Sequence, residues 1–381
     1  MKQIIYWIME KTKTKIKVLF AMHLPPPVHG ASMVGEYIKR SSVINSTFDC
    51  RFENIATAES LTDIGRFSVK KVFDVFGLVK RLKKAVRELL PDIVYYTPNA
   101  KGLPFYKDFM VVEALKRCGC RVILHFHNKG VRTRQNRWMD NMLYRIFFKD
   151  VTVMLLAEAL YKDVEKYVDR DNVVICENGI PDILQERPRK SEGRMPRLLF
   201  LSNMMETKGV WDLLDALHIL KERNKDFACD FVGGWKDICE EEFRNRVKKL
   251  GLDDCVLAHG PKYGEDKEAF FQEADIFVFP TYYPKECFPL VLLEAMAHGL
   301  ACVSTDEGGI SGIIDEGTTG FMVERQNVGQ LAARIETLLD NPELCKDMGT
   351  AGRKRFAEEF TLDKFEHRFS EILGSVVSAG N

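Results

Sequence analysis

The run Glu286-Cys-Phe-Pro-Leu-Val-Leu-Leu-Glu294-Ala-Met-Ala-His-Gly299 restricts what this chain can fold into more than any other stretch. Pro289 brings the fixed φ and missing donor that suit a first helical position, and Gly299 suits a C-terminal cap. Leu, Val, Ala and Met on every side predict a buried helix between them, entered from the strand-like Ala274-Asp-Ile-Phe-Val-Phe-Pro280. Glu294 then lies about two turns, roughly 8 Å, inside apolar surroundings, where a carboxylate is costly unless hydrogen-bonded. Glu286 lies just ahead of the helix. The first amides there, those of Phe288, Leu290 and Val291, join the positive end of the helix dipole to make an anion site. One carboxylate before an anion site and another behind it suit a molecule with phosphate at its centre and hydroxyls at both ends, such as a sugar nucleotide.

Glu286-x7-Glu294 followed by Ala-Met-Ala-x-Gly, Gly308-Gly309 and Gly317-x-x-Gly320 closely resembles the large bacterial E-x7-E family of retaining glycosyltransferases. These are the group 1, family 4 type, with many capsule, exopolysaccharide and lipopolysaccharide enzymes. The resemblance spans about residues 16–378 and is most specific from 197 to 325. It implies an α/β chain of two Rossmann-like βαβ domains facing each other across a cleft, the GT-B type.

The charge distribution agrees with a division into two. Residues 1–150 carry 27 Lys and Arg against 13 Asp and Glu, leaving 28 against 42 for the remainder, so +14 is balanced by −14. Either the halves attract each other, or the basic half faces anionic lipid or a pyrophosphate-bearing acceptor. Ten cysteines without regular pairing suggest free thiols in a reducing compartment. Cys118 and Cys120 are too far along an extended strand from His125 and His127 to share a metal ion. No apolar run approaches the ~20 residues that span a bilayer. Residues 1–15 place Tyr6 and Trp7 beside lysines, and read either as an interfacial anchor or as an extension.

Along the chain, Ile16–Met22 reads as the first strand, with Gly30 and Ala31 in its exit loop placed for close approach to phosphate. The resembled family has a small-residue pair here, usually Gly-Gly. Residues 69–90 read as a helix rich in basic residues, among them Lys80, Arg81, Lys83, Lys84 and Arg87, which makes either a solvated face or a membrane-facing one. Arg121–His127 reads as a strand with His125 and His127 on one face. The resemblance gives the histidine at this strand end, His127, a contact to the donor sugar; the alternative is a core histidine. Arg132, Arg134, Arg137 and Arg145 form either an acceptor-side phosphate clamp or a merely soluble segment. Asp169-Arg-Asp171 reads as a turn before Val173-Val-Ile-Cys176.

The polar stretch 186–196 is the expected linker. It separates an N-terminal acceptor domain, residues 16–185, from a C-terminal donor domain, residues 197–361. A closing helix is expected through Arg353–Ile372. The resemblance sends its end, about residues 362–378, back onto the first domain. The second series opens at Arg197–Ser202 and exits through Asn203 to Lys208-Gly209. The family has Arg and Lys on the diphosphate at these two places; this chain keeps Lys208 and carries Asn203 instead of the Arg, so one fixed cation is missing. Lys262 and Tyr263 align where the family holds the base. Cys287 and Pro289 stand where the family has Gly.

By resemblance, Glu286 contacts sugar hydroxyls and Glu294 ribose hydroxyls. Lys208 and the amides of Phe288, Leu290 and Val291 bind the diphosphate as it leaves. Glu286, His127 and Lys208 are the candidate catalytic residues. Neither a metal nor another cofactor is implied; the nucleotide-sugar is a substrate. The implied partners are a nucleotide-sugar donor, UDP-sugar favoured, a lipid-linked or oligosaccharide acceptor, and an anionic membrane surface. The implied location is cytoplasmic, peripheral on the inner face of the plasma membrane. A nucleic-acid partner is not expected, because the basic half lacks an interleaved aromatic platform. A nucleotide-sugar 2-epimerase on the same fold and a catalytically silent sugar-nucleotide-binding scaffold are the rival readings.

Overall fold

The computed structural model describes residues 15–26, 29–56, 69–182 and 193–378. Apart from Lys15, the expected N-terminal extension lies outside the described residues, as do positions 186–192 of the expected linker. The chain divides into two units. The first comprises the chain up to Leu155, Asp163–Cys176 and the chain from Glu366 on; the second comprises Leu156–Lys162 and Glu177–Phe365.

In the first unit the order is β1 (Lys17–Met22), α1 (Gly30–Arg40), α2 (Ser42–Thr47), β2 (Asp49–Asn54), α3 (Val69–Leu89), β3 (Ile93–Tyr96), α4 (Gly102–Lys116), β4 (Val122–His125), α5 (Trp138–Phe147), β5 (Val151–Leu155) and β6 (Val173–Ile175). The strands pair in parallel in the order β2-β1-β3-β4-β5-β6. β1, β3 and β4 are sealed on both faces, as their continuous apolar runs require of a parallel sheet covered by helices. Phe20 at their centre stacks on Phe52, with ring centroids 5.0 Å apart.

The second unit runs β7 (Arg197–Leu201), α6 (Val210–Glu222), β8 (Ala228–Val232), α7 (Glu240–Lys249), β9 (Val256–Ala258), α8 (Gly264–Glu273), β10 (Ile276–Phe279), α9 (Leu290–Ala297), β11 (Ala301–Thr305), β12 (Gly320–Val323), α10 (Val328–Asp340) and α11 (Pro342–Arg355), before α12 (Leu362–Ser378). Its parallel sheet has the order β12-β11-β10-β7-β8-β9. The strand order reverses between β1 and β3 in the first unit and between β7 and β10 in the second. In open α/β sheets the loops leaving the carboxyl ends of such strand pairs form the ligand crevice.

The expected single closing helix is two. Residues Phe356–Phe360 form a π turn, and Thr361 is extended (φ −70°, ψ 155°) before α12 begins. The break has a partner: Ile180 N donates to the Phe360 carbonyl (3.0 Å) and Leu362 N donates to the Ile180 carbonyl (2.7 Å). Gly179 allows this approach, since a β-carbon there would meet the Phe365 side chain at 2.6 Å. Beyond the break, Phe369 of α12 packs in the first unit on Tyr95 (5.2 Å) and Phe20 (6.3 Å), and Arg121 donates to the Val376 carbonyl (2.6 Å).

Candidate functional site

At the reversal point of the second unit, the loops leaving β7 and β10 are tied together. Tyr282 N donates to the Thr207 carbonyl (2.9 Å), and Gly209 (φ +81°) turns the chain directly against the backbone of Pro280. A β-carbon at Gly209 would collide there, so the sequence Lys208-Gly209 is needed for the two loops to meet. Lys208, closing a 3-10 turn, is thereby aimed at the β10 loop. Its ammonium is ion-paired with the Glu286 carboxylate, and both side chains are largely buried. The same ammonium lies 4.6 Å from the ring centroid of Tyr283 and 5.1 Å from that of Phe279. Two aromatic faces and a carboxylate hold the cation in place.

Glu286 is held by its backbone. Its N–H donates to the Tyr283 carbonyl (2.9 Å), and Gly309 N donates to the Cys287 carbonyl (2.6 Å). Gly308 (φ +65°) abuts the Glu286 carbonyl so closely that only glycine fits. From β11, Ser304 Oγ donates to the Phe279 carbonyl (2.6 Å) and Thr305 Oγ1 donates to that of Thr281.

α9 starts one residue later than expected. Pro289, with ψ 117°, is its N-cap and not its first helical residue, and it offers no side-chain cap. The Pro289 carbonyl accepts from Leu292 N (3.1 Å). As first-turn donors, the amides of Leu290 and Val291 have no acceptor within the helix. Phe288 lies ahead of the helix, its ring against Phe360 at 5.8 Å. At the other end Gly299 (φ +64°) closes a Schellman turn: Leu300 N donates to the Ala295 carbonyl (3.0 Å) and Gly299 N to that of Met296 (2.9 Å).

Glu294 is not sealed in the core. Leu290, Val291 and Glu294 share the one partly open side of α9, and the Glu294 side chain is 24% exposed. Lys267 of α8 donates to its Oε1 at 2.7 Å. Burial raises the Glu294 pKa above the usual carboxylate value; the Lys267 ammonium works against this, Glu268 adds to it, and His298 opposes it.

The remaining donor-side candidates lie on neighbouring exit loops. Ser202 N donates to the Val232 carbonyl (3.0 Å), Met204 N to that of Gly234 (2.8 Å) and Gly233 N to that of Gly260 (3.0 Å), which stitches the β7, β8 and β9 exits together. Asn203 is exposed within this seam. Lys262 is half-buried, and Tyr263, 77% exposed, is the N-cap of α8, four residues before Lys267.

The reversal point of the first unit gathers histidines. Thr97 Oγ1 accepts from His23 N and is hydrogen-bonded to His23 Nδ1, both at 3.1 Å. His29, whose role composition did not reveal, is the N-cap of α1. Its Nδ1 accepts from Ser32 N (3.3 Å), which puts the ring proton on Nε2, while His29 N donates to Ser32 Oγ (2.9 Å). The serine three residues on was the readable signal. Gly30 and Ala31 open the helix, with nothing within 4 Å of a β-carbon placed on Gly30.

β4 ends at His125, so His127 lies just past the strand. The two rings are 4.2 Å apart. His125 is fully buried and its Nδ1 is 2.7 Å from Tyr95 Oη; its Nε2 has no hydrogen-bond partner among the described residues. Burial, followed by the nearby His29, lowers the His127 pKa to about 3, and burial holds His23 and His125 well below the ordinary value. At neutral pH the cluster is a set of uncharged imidazoles. Among the described residues no group of three or more His, Cys, Asp or Glu is arranged to hold a metal ion.

The structure thus brings together Lys208 and Glu286, with the Leu290 and Val291 amides four and five residues downstream of Glu286. Glu294 pairs separately with Lys267. Gly30, Ala31 and His127 belong to the histidine cluster of the first unit. Tyr283, Lys267 and the Thr207 carbonyl escaped the sequence reading, because an aromatic loop residue and a surface lysine carry no motif.

Residues 183–355 match the profile of the family described as Glycosyl transferases group 1. A D-inositol 3-phosphate glycosyltransferase of Arthrobacter sp. (strain FB24) is 33% identical over 156 residues, 40% of this chain and 37% of that one. The chain spans about half or less of the D-inositol 3-phosphate glycosyltransferases it matches. The amylovoran biosynthesis glycosyltransferase AmsK of Erwinia amylovora is 29% identical over 75% of this chain and 73% of its own. The structure of Anabaena Alr3699/HepE in complex with UDP superposes with a TM-score of 0.73 at 16% identity, covering 94% of this chain and 100% of that one. The two-sheet fold is the GT-B fold.

Proposed function

We propose that this chain is a retaining glycosyltransferase of bacterial surface polysaccharide biosynthesis, which moves a sugar from a nucleotide-sugar, UDP-sugar favoured, to a lipid-linked or saccharide acceptor. The observation that carries the reading is the Lys208–Glu286 pair at the strand reversal of the second unit, directly ahead of the α9 N-terminus. The group 1 match over this unit supports it, as do relatives named for amylovoran and colanic acid biosynthesis. The GT-B structures of Alr3699/HepE with UDP and with UDP-glucose support the choice of donor.

In this reading the Lys208 ammonium and the amides of Leu290 and Val291 take the diphosphate. They stabilise the charge that develops as the bond from the anomeric carbon to the phosphate oxygen breaks. Glu286, neutralised by Lys208, accepts hydrogen bonds from sugar hydroxyls and is not the attacking group. The acceptor oxygen bonds to the anomeric carbon on the face the diphosphate leaves, and its proton passes to the departing phosphate, so configuration is kept. Glu294 accepts from the ribose, and Lys262 and Tyr263 flank the base. For the first unit, the resemblance carries His127, neutral at working pH, as a hydroxyl donor and the Gly30-Ala31 turn as a backbone suited to phosphate.

No helix among the described residues is long and apolar enough to cross a membrane. We place the enzyme in the cytoplasm, bound peripherally at the inner face of the plasma membrane. A thermal-shift panel of UDP-, GDP- and ADP-sugars, followed by nuclear magnetic resonance of the product anomer, tests the proposal. Stabilisation by one class and an unchanged anomeric configuration are expected. An inverted product, or no stabilisation by any nucleotide, overturns it.

A further inference from the structure

The inner side of α5 is fixed by Asp140, Tyr144 and Phe147, all buried. Asp140 accepts from Tyr106 Oη of α4 at 2.6 Å, and the Phe147 ring lies 5.3 Å from that of Phe105. Helical spacing therefore turns Trp138, Met139, Met142 and Ile146 outward, and they are 78%, 48%, 41% and 42% exposed. Met110, one turn past Tyr106 on α4, adds to them. Arg145 and Lys149 are exposed on the same face, and Arg132 and Arg137 are exposed just before the helix. The single carboxylate of α5 is the inward Asp140, so over Trp138–Phe147 the outer face carries Arg145 and large apolar groups and no acid; past the helix end the exposed Lys149 is followed by the exposed Asp150. A helix on a sheet ordinarily presents the reverse.

The basic helix α3 is less suited to the same task. Arg81 donates to Glu53 (3.1 Å) and to the Asn54 carbonyl (2.6 Å), and Glu88 takes Arg51 (2.7 Å) and Lys84 (3.7 Å). Its charge is partly matched internally. α3 packs on α4 and α4 on α5, so the three helices form one layer.

We propose that the outer face of α5 is the surface by which this chain docks on an anionic lipid bilayer. Four large apolar residues within about 13 Å of helix match an interfacial helix that enters the headgroup boundary by ~5–10 Å. Trp138 suits the headgroup level, and unopposed arginines suit anionic headgroups. A protein partner would leave these cations needing matched carboxylates, whereas a bilayer of acidic lipid supplies them wherever the face lands. For its purpose the inference rests on the proposed lipid-linked acceptor; for its geometry it does not.

The test is sedimentation of the full chain with vesicles of phosphatidylglycerol and phosphatidylcholine in equal parts, and with phosphatidylcholine alone. Brominated lipid serves as a tryptophan quencher. Binding is expected only to the acidic vesicles, weakened about tenfold or more in Met142→Glu/Ile146→Glu. Quenching should fall in Trp138→Phe, although Trp7, Trp211 and Trp235 remain. Wild-type protein that ignores acidic vesicles overturns the inference, as does equal binding by the double variant. A dimer in analytical ultracentrifugation that the double variant dissociates would assign the face to a second copy, and overturns it too. Transfer to a soluble saccharide acceptor should be the same in wild type and double variant. Absence of transfer in both, with wild type binding acidic vesicles and the double variant weakened, would count against the glycosyltransferase reading and leave the docking face standing.

Discussion

Gly308 lies against the carbonyl oxygen of Glu286, where any β-carbon would collide. Gly309 completes the contact, its N–H donating to the Cys287 carbonyl at 2.6 Å. The glycine pair of the β11 exit is therefore the floor on which the Glu286 loop rests, and this is the physical content of a motif that otherwise reads as a flexible loop.

Gly308→Ala should displace the Glu286 backbone and cut transfer by about tenfold or more, in line with the steep cost of misplaced catalytic groups. Strain from the positive φ alone must be separated from the collision. Gly251 has the same φ of +65° with nothing within 4 Å of an added β-carbon. Gly251→Ala should therefore lose about 1–2 kcal/mol of stability with activity intact. Equal activity in the two variants would mean that the Gly308 contact does not position Glu286.

Glu286→Gln, whose amide oxygen can still accept from Lys208, should remain folded with a lowered melting temperature from the lost ion pair, and lower transfer by ~10²-fold or more. Lys208→Met should lower nucleotide affinity as well as turnover, because the ammonium is assigned to the diphosphate. A double-mutant cycle of the two should show coupling of about 0.5–3 kcal/mol in the free protein, read by urea unfolding. Near-wild-type turnover in Glu286→Gln would remove the main assignment.

Much of this was legible because it is written locally. Continuous apolar runs such as Ile276–Phe279 gave the buried strands, and small-residue exits gave the loops. Lys208 and Glu286 could be singled out separately, but they lie 78 residues apart and meet only through the strand order β10-β7, which no local pattern encodes. Glu294 was expected deep in the core because every other residue of α9 is apolar. The sequence could not show that α8 lies beside it and brings Lys267. The closing helix looked continuous because its break is imposed by Ile180, about 180 residues upstream in sequence.

Buried His125 and half-buried His23 and His127 should make the first unit acid-sensitive. His23, His125 and His127 have pKa values held below the ordinary 6.5, so the native state stays neutral where the unfolded chain takes up protons. Stability is full above about pH 6.5 and falls as pH drops, by about 1.4 kcal/mol per pH unit for each such group. His125→Gln, which can still bond Tyr95, should flatten the dependence by about one proton between pH 6.5 and 5 in urea unfolding. An unchanged slope would mean that His125 is already charged in the native protein.

Lys267 should control the pH range over which Glu294 can serve a nucleotide. Burial raises the Glu294 pKa, Lys267 draws it back, Glu268 raises it and His298 lowers it. A ribose hydroxyl donates to the ionised carboxylate, so affinity is full above that pKa and falls as pH drops through it. Lys267→Met removes the largest downward influence, so its affinity should fade at a higher pH than that of the wild type. Calorimetry over a pH series with the nucleoside diphosphate chosen by the thermal-shift panel should find the variant equal to wild type at the alkaline end and losing affinity earlier than wild type as pH falls, by ~1–3 kcal/mol once the hydrogen bond to the carboxylate is lost. Glu294→Gln should be weak throughout the series, with no such dependence. A uniform loss at every pH would instead make Lys267 a direct nucleotide contact, and unchanged affinity throughout would confine the Lys267–Glu294 pair to holding α8 against α9.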